Sequence, residues 1–267
     1  MRPSFYWHPS SNPDDRRRIQ PESLLHYCKN VSSQRGDDGI IAEIFKRLRV
    51  KRGFFVEFGA WDGVFLANSR VLFENGWAGA FIEADPTKFA SLQRNYSGDG
   101  HIVCVKEWVG FPGSPGKTVD QIAADYFPDQ EIDLMTIDID GLDYRILETM
   151  VLRPRVVCME GGFAWHPAFT KRVPDEIARN GLQQPLSVLI EIAHNCGYVP
   201  VGFNQNLYMV RHELAEPFLK IRNDALTLWR DAWFNESEAF RADLVRARAN
   251  SVRIRTEEGP KFAALPT

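Results

Sequence analysis

Residues 53–63 read GFFVEFGAWDG, and the reading of this stretch decides the fold. An apolar run interrupted only by Glu57 closes on Gly59. A segment so short, bounded by glycines, reads as a buried strand, because a helix needs about ten residues or more. Gly59 permits a tight turn and lets another group approach the backbone, and Gly63 leaves room one turn later. The stretch is thus a strand running straight into a turn, the geometry found at the carboxyl edge of an open α/β sheet.

Working outward, the pattern repeats. Before the strand, Ile40, Ile41, Ile44, Phe45 and Leu48 recur at helical spacing, with Asp37 or Asp38 expected to cap that helix. After it, residues 65–75 predict a helix stopped by Gly76. GAFIEADP (79–86) predicts a second strand, with Pro86 opening the next helix. HIVCV (101–105) is a third strand, and GFPGSPG (110–116) a loop. Thr118 is positioned to cap the helix of TVDQIAADYF. IDLMTIDID (132–140) and RVVCME (155–160) are strands four and five, with the helix of LDYRILETMV between them. Continuous apolar strands alternating with helices predict an α/β fold with a mostly parallel sheet covered on both faces. A long polar loop, 161–184, and the helix of PLSVLIEIAHNCG follow. GYVPVGF and NLYMVRHEL then lie so close together that they form a hairpin, closing the sheet with an antiparallel strand.

Three segments are read along the chain. Residues 1–30 form an N-terminal arm or flap, residues 31–214 the main domain, and residues 215–267 a C-terminal helix and tail. Phe218, Ile221, Leu226, Trp229 and Trp233 are the apolar side of that helix. The chain has 267 residues, 44% of them hydrophobic, enough for one large domain. A net charge of -3 gives no electrostatic footprint for nucleic acid. No apolar run approaches the roughly 20 residues that cross a bilayer, and the N-terminus lacks the apolar region of a secretory signal. Cys28, Cys104, Cys158 and Cys196 are widely spaced, form no zinc pattern and suit the cytoplasm; Cys104 and Cys158 are expected to be buried thiols.

Ligands of such sheets sit beyond the carboxyl ends of the strands, and three of these ends carry polar residues. At the first, Glu57 can hold loop amides or face a ligand. At the second, Glu83 stands about 20 positions after the glycine turn, where an acidic residue accepts ribose hydroxyls. Asp85 is either a further contact or a cap for the helix at Pro86. At the third, Asp138, Asp140 and Glu160 gather three carboxylates, which are costly to crowd without a cation or a basic substrate. A divalent ion such as Mg²⁺ would suit these oxygens. The alternative is that Asp138 meets a ligand amine, Asp140 caps the following helix, and Glu160 bonds loop amides.

The residues SQRGDDGI (33–40), FVEFGAWDGVFLANS (55–69), GWAGAFIEADP (76–86), IDIDGLDY (137–144), VVCME (156–160) and GYVPVGFNQNLYMV (198–210) resemble the FkbM-like class I methyltransferases. The resemblance spans most of residues 30–212. It implies a Rossmann-like sheet, S-adenosylmethionine (SAM) as methyl donor, and O-methylation of a small molecule or sugar. It implies that Glu57, Gly59, Trp61 and Asn68 line the methionine side, that Glu83 meets the ribose, and that Asp138 lies near the transferred methyl. Ser33 and Gln34 would close over the donor. Asp138 and Glu160 match the places where related enzymes hold Mg²⁺, although Gly161 stands where a further oxygen ligand is expected. Trp61 replaces the middle glycine of the methyltransferase turn. A homodimer and a small-molecule acceptor are further expectations.

For a neutral hydroxyl acceptor a base is needed. His166 in the loop after strand five is one candidate, since imidazole titrates near neutrality, and Asp138 and Asp140 are others. Phe163 and Trp165 either wall the substrate or pin the loop. Two readings compete with methyl transfer. A nucleoside-binding oxidoreductase would need G-x-G-x-x-G, but Trp61 and Val64 occupy its second and third glycine positions. A degenerate fold kept for binding would be favoured if the Trp61 ring blocked the cofactor.

Overall fold

The computed structural model describes residues 8–245. A short helix α1 (Pro13–Arg18) and a 3-10 turn at Leu24–Tyr27 precede α2 (Asp37–Leu48). Then come β1 (Phe54–Phe58), α3 (Arg70–Glu74), β2 (Ala78–Ile82), α4 (Pro86–Tyr96) and β3 (Ile102–Val105). A flap holds the two-residue strands β4 (Val109–Gly110) and β5 (Lys117–Thr118) and leads into α5 (Val119–Tyr126). The second half contains β6 (Leu134–Ile137), α6 (Asp143–Thr149), β7 (Val156–Glu160), α7 (Asp175–Ala178) and α8 (Leu186–Asn195). β8 (Tyr198–Phe203), β9 (Asn206–Arg211) and α9 (Ala225–Asn235) complete the named elements.

Seven strands form one sheet in the order β3-β2-β1-β6-β7-β9-β8. β1, β2, β3, β6 and β7 are parallel, and β9 runs antiparallel to both β7 and β8. This is the Rossmann-like, mostly parallel sheet with an antiparallel C-terminal strand that the sequence predicts. Every residue of β1 and β6 is buried, as their unbroken apolar character requires. The strand order reverses between β1 and β6, so the carboxyl ends of these two neighbours flank the crevice where ligands collect.

Several local expectations hold. Asp85 caps α4 through the amides of Thr87 and Lys88, and Pro86 fills the first turn. Thr118 and Gln121 form a reciprocal capping box on α5.

Others are corrected. Gly36, with φ of 83°, precedes α2, while Asp37 and Asp38 lie buried in its first turn and turn their carboxylates to other segments. α3 is only five residues long, because the Glu57 carboxylate captures the amides of Asn68 and Ser69 and holds the preceding residues as a loop. Within the described residues, the expected C-terminal helix is broken. Phe218 and Ile221 are buried ahead of α9, Asp224 caps α9, and a separate helical stretch covers residues 238–245. Leu226 faces outward, and Leu228 and Ala232 are the buried positions instead. All four cysteines are free, with Cys158 buried and Cys104 only half-buried.

The part of the N-terminal arm within the described residues is packed rather than loose. Ile19, Leu24 and Leu25 join the core. Pro9 bridges to Glu236, the Ser10 amide donates to the Asn235 carbonyl at 3.3 Å, and Asp15 pairs with Arg241 at 2.6 Å. Residues 1–7 of the arm and 246–267 of the tail lie outside the described residues.

Candidate functional site

Two cavities open at the carboxyl edge of the sheet and share Gly59, Trp61 and Asp138 on their walls. The smaller, about 200 Å³, lies over β1, β6 and β7 and is walled by Gln34, Arg35, Asp37, Glu57, Asn68 and Glu160, among others. The larger, about 840 Å³, extends over β2 and beneath the flap, past Glu83, Asp85, Trp108 and Asp140.

Gly59 makes the junction possible. Its φ is 62°, and a Cβ there would lie 2.7 Å from the carbonyl oxygen of Asp138. No side chain fits between these two strand ends. Trp61 also adopts a left-handed φ of 51°, the conformation for which a glycine is the expected residue. For an L-residue this costs roughly 1–2 kcal/mol. The cost is offset by the bond from its amide to Glu83 Oε2 at 2.9 Å. Its ring packs edge-on against Phe65 and lies 4.3 Å below the Lys88 ammonium. The ring therefore walls both cavities and leaves them open.

Glu83 is a clamp before it is a ligand site. Oε2 holds the Trp61 amide, and Oε1 accepts from the Asp85 amide at 2.8 Å, tying the turns after β1 and β2 together. Each oxygen keeps a further lone pair. Glu57 is fully enclosed, accepts the Asn68 and Ser69 amides at 2.8 and 2.9 Å, and is pushed up to about 7 because burial penalises its charge.

Asp138, Asp140 and Glu160 each present a carboxylate oxygen within 4.8 Å of the others. Asp138 opens onto the cavities, yet the surrounding protein and then the charges of Glu160, Asp143 and Asp140 hold its pKa well above the usual carboxylate range. Burial, followed by the Asp143 charge, raises Glu160 to about 7, and Gln183 donates a hydrogen bond to Glu160 Oε2. The helix-capping role considered for Asp140 is not filled, since α6 starts without a side-chain cap, and Asp143 instead holds the preceding turn by accepting the amides of Ile139 and Gly141 at 2.8 and 2.9 Å. That turn presents Asp138 and Asp140 side by side. Oxygen donors on three convergent carboxylates fit a hard divalent cation.

The remaining predicted residues divide. Gln34 and Asn68 line the smaller cavity. Ser33 is fully buried behind it, bonded to Asp38 and bridged to Leu66, so it braces the wall. His166 lies on neither cavity wall; its Nδ1 accepts the Ala168 amide at 3.2 Å, and its ring approaches Trp229. Phe163 stacks on Trp229 and Phe240, and Trp165 on Phe169, so both pin the loop.

Sequence reasoning missed Asp37, Arg35, the hairpin turn at Gln205 and Asn206, and Trp108 on the flap. Asp37 accepts from Asn206 Nδ2 at 2.8 Å and from the Tyr208 hydroxyl, which joins α2 to β9 at the cavity. A buried-looking carboxylate in a helix's first turn was a signal open to either reading. For Trp108, 65% exposed at the cavity mouth, its place just after β3 was the only signal.

No protein-family model matches this sequence, and neither does any curated protein. Solved structures with similar coordinates include a Staphylococcus aureus protein named for caffeoyl-CoA O-methyltransferase activity, at 14% identity and a TM-score of 0.45, covering 67% of this chain and 84% of that one. The Podospora anserina methyltransferase PaMTH1, solved with SAH, is 14% identical with a TM-score of 0.42, covering 68% and 79%. A SAM-dependent methyltransferase of Methanosarcina mazei is 12% identical with a TM-score of 0.38, covering 63% and 96%.

Proposed function

We propose that this chain is a SAM-dependent methyltransferase of FkbM-like type, transferring a methyl group to a hydroxyl of a small molecule or sugar. One observation carries the reading: an acidic cavity and a nucleoside-sized cavity meet at Gly59, Trp61 and Asp138. The shape suits a ligand with a cationic amino-acid end and an adenosyl end. Glu83 has lone pairs free for ribose hydroxyls, and Asp138 lies at the join, where a sulfonium would sit. SAM supplies the activated methyl group, and the protein contributes position and electrostatics.

A pyrophosphate would meet Asp37, Glu57, Asp138 and Glu160 rather than a glycine-rich helix end, which disfavours the oxidoreductase reading. The open cavities beside Trp61 disfavour a degenerate binding fold. Asp138, Asp140 and Glu160 would hold Mg²⁺, which would lower the pKa of an acceptor hydroxyl. The proton-accepting role falls to Asp138 rather than His166, since Asp138 lies on both cavity walls and His166 on neither. The free, unpaired thiols fit a cytoplasmic setting.

Calorimetry with SAH, SAM and NAD tests the core of this reading, with binding of the first two expected and of NAD not. An acceptor screen for SAH release, with and without Mg²⁺, tests the rest. Asp138→Asn should abolish turnover while the fold survives, and full activity in that variant would remove Asp138 from the site.

A further inference from the structure

The segment 173–181, in the long loop after β7, is moored at both ends. Asp175 accepts from Arg145 Nε and Nη2 of α6 at 2.9 and 2.7 Å, and from the Tyr144 hydroxyl. The backbone of Val173 exchanges two bonds of 2.8 Å with the buried Gln184 side chain. At the far end the Ala178 carbonyl rests on Gly141, where a Cβ would lie only 2.0 Å from that oxygen. The Gly141 φ of 126° likewise calls for a glycine. Gly141 belongs to the turn that presents Asp138 and Asp140. The fold thus seats the end of α7 against that turn, and Arg179, directly after α7, lines the larger cavity together with Asp138 and Asp140.

Arg179 is the charge this arrangement leaves over. Among the described residues, Lys88 and Arg179 are the basic residues on that wall. The Lys88 ammonium lies over the Trp61 ring. The Arg179 guanidinium has no ion pair, side-chain hydrogen bond or ring contact among the described residues. On the SAM reading the donor gives it nothing to hold. Adenine and ribose are uncharged, the sulfonium is positive, and the donor's carboxylate belongs to the smaller cavity. A guanidinium fork matches a carboxylate or a phosphate, offering two N–H donors to two oxygens. A cavity of about 840 Å³ has room for a second small molecule beside an adenosyl group. We propose that Arg179 holds a carboxylate or phosphate of the methyl acceptor, so that the acceptor is a hydroxylated acid, such as a sugar acid or sugar phosphate, and not a neutral sugar. This assignment rests on the reading that the cavity pair binds SAM, and it adds the acceptor class to it.

The test uses matched acceptors: glucuronate and galacturonate as carboxylates, the 6-phosphates of glucose and galactose as phosphates, and glucose and galactose as neutral controls. Calorimetry on the SAH-loaded protein with Mg²⁺ reads acceptor binding, and SAH release from SAM reads turnover. At least one acid should bind about tenfold or more tightly than its neutral counterpart, and whether a uronate or a phosphate ester does so identifies the anion. Arg179→Met should weaken that binding, and raise the KM for that acid, by about tenfold or more, the loss expected for hydrogen bonds between charged groups. Arg179→Lys should recover part of it. SAH affinity should be the same in the parent and both variants, which also shows that the variants are folded. If the SAH-loaded parent binds no acid, or binds it no better than the neutral sugar, the assignment is overturned. Acid affinity within twofold of the parent in Arg179→Met overturns it as well, as does an equal loss of SAH affinity in that variant. If the parent does not bind SAH, the donor reading itself falls and this assignment with it.

Discussion

Replacing Glu83 by glutamine tests the clamp and the nucleoside site together. In the parent each carboxylate oxygen accepts one backbone amide, from Trp61 at 2.9 Å and Asp85 at 2.8 Å, in a setting only 7% exposed. A glutamine can keep one of these bonds. Its NH₂ group then faces the other amide, donor against donor, and the left-handed Trp61 turn loses its anchor or the β2 turn does. Losing one such bond with a buried donor left unpaired costs about 1–3 kcal/mol. A loss of that size lowers Tm by roughly 2–4 °C per kcal/mol in a domain of this length. Binding loses in addition one ribose hydroxyl bond to a carboxylate, about 1.5–3 kcal/mol, or about 10- to 150-fold in SAH affinity. Thermal melts give the first quantity and calorimetry with SAH the second. If Tm drops while SAH affinity stays within twofold, Glu83 is a clamp alone and the ribose assignment fails. If neither changes, the hydrogen-bond geometry described for the two turns is refuted.

Other outcomes follow from the same reasoning. Asp140→Asn should weaken Mn²⁺ binding, read by electron paramagnetic resonance, by roughly tenfold or more while SAH affinity holds; equal Mn²⁺ affinity would exclude Asp140 as a ligand. Asp15→Asn leaves Arg241, whose side chain is 13% exposed, without its partner, and should cost about 3 kcal/mol with faster hydrogen exchange over residues 238–245; an unchanged melt would refute the clasp between the two ends. Glu236 is raised by burial from an ordinary 4.5 to about 7. The native state therefore binds its proton more tightly than the unfolded chain, so this stability is complete below pH 4.5 and is lost as pH climbs through 7. Glu236→Gln should flatten that decline by as much as 2–3 kcal/mol between pH 5 and 8, and parallel stability profiles would rule out the buried ionisation.

What was legible in the sequence had local causes. Thr118 with Gln121, and Asp85 before Pro86, signal helix starts through bonds spanning three residues or fewer. The spacing of Glu83 from the glycine turn followed from the length of a βαβ unit. The misreadings had distant causes. α3 starts late because Glu57, 11 residues before Asn68, holds the loop. Asp37 is drawn from helix capping by Tyr208, 171 positions away. His166 looked chemical by type and by its loop, but the stacking of Phe163 and Trp165 holds the His166 end of that loop off both cavity walls, while Arg179 farther along lines the larger one.

By itself the sequence determined the alternation of buried strands and helices, the closing hairpin, and the strand ends carrying Gly59, Glu83, Asp138 and Glu160. Apolar periodicity and turn chemistry act over a few residues and need no partner segment. Only tertiary structure decided that β9 would slip between β7 and β8, and that Asp37, Glu57, Asp138 and Glu160 would face one cavity. Those outcomes depend on which strands pack side by side, and the energy of gathering buried carboxylates exists only once they do.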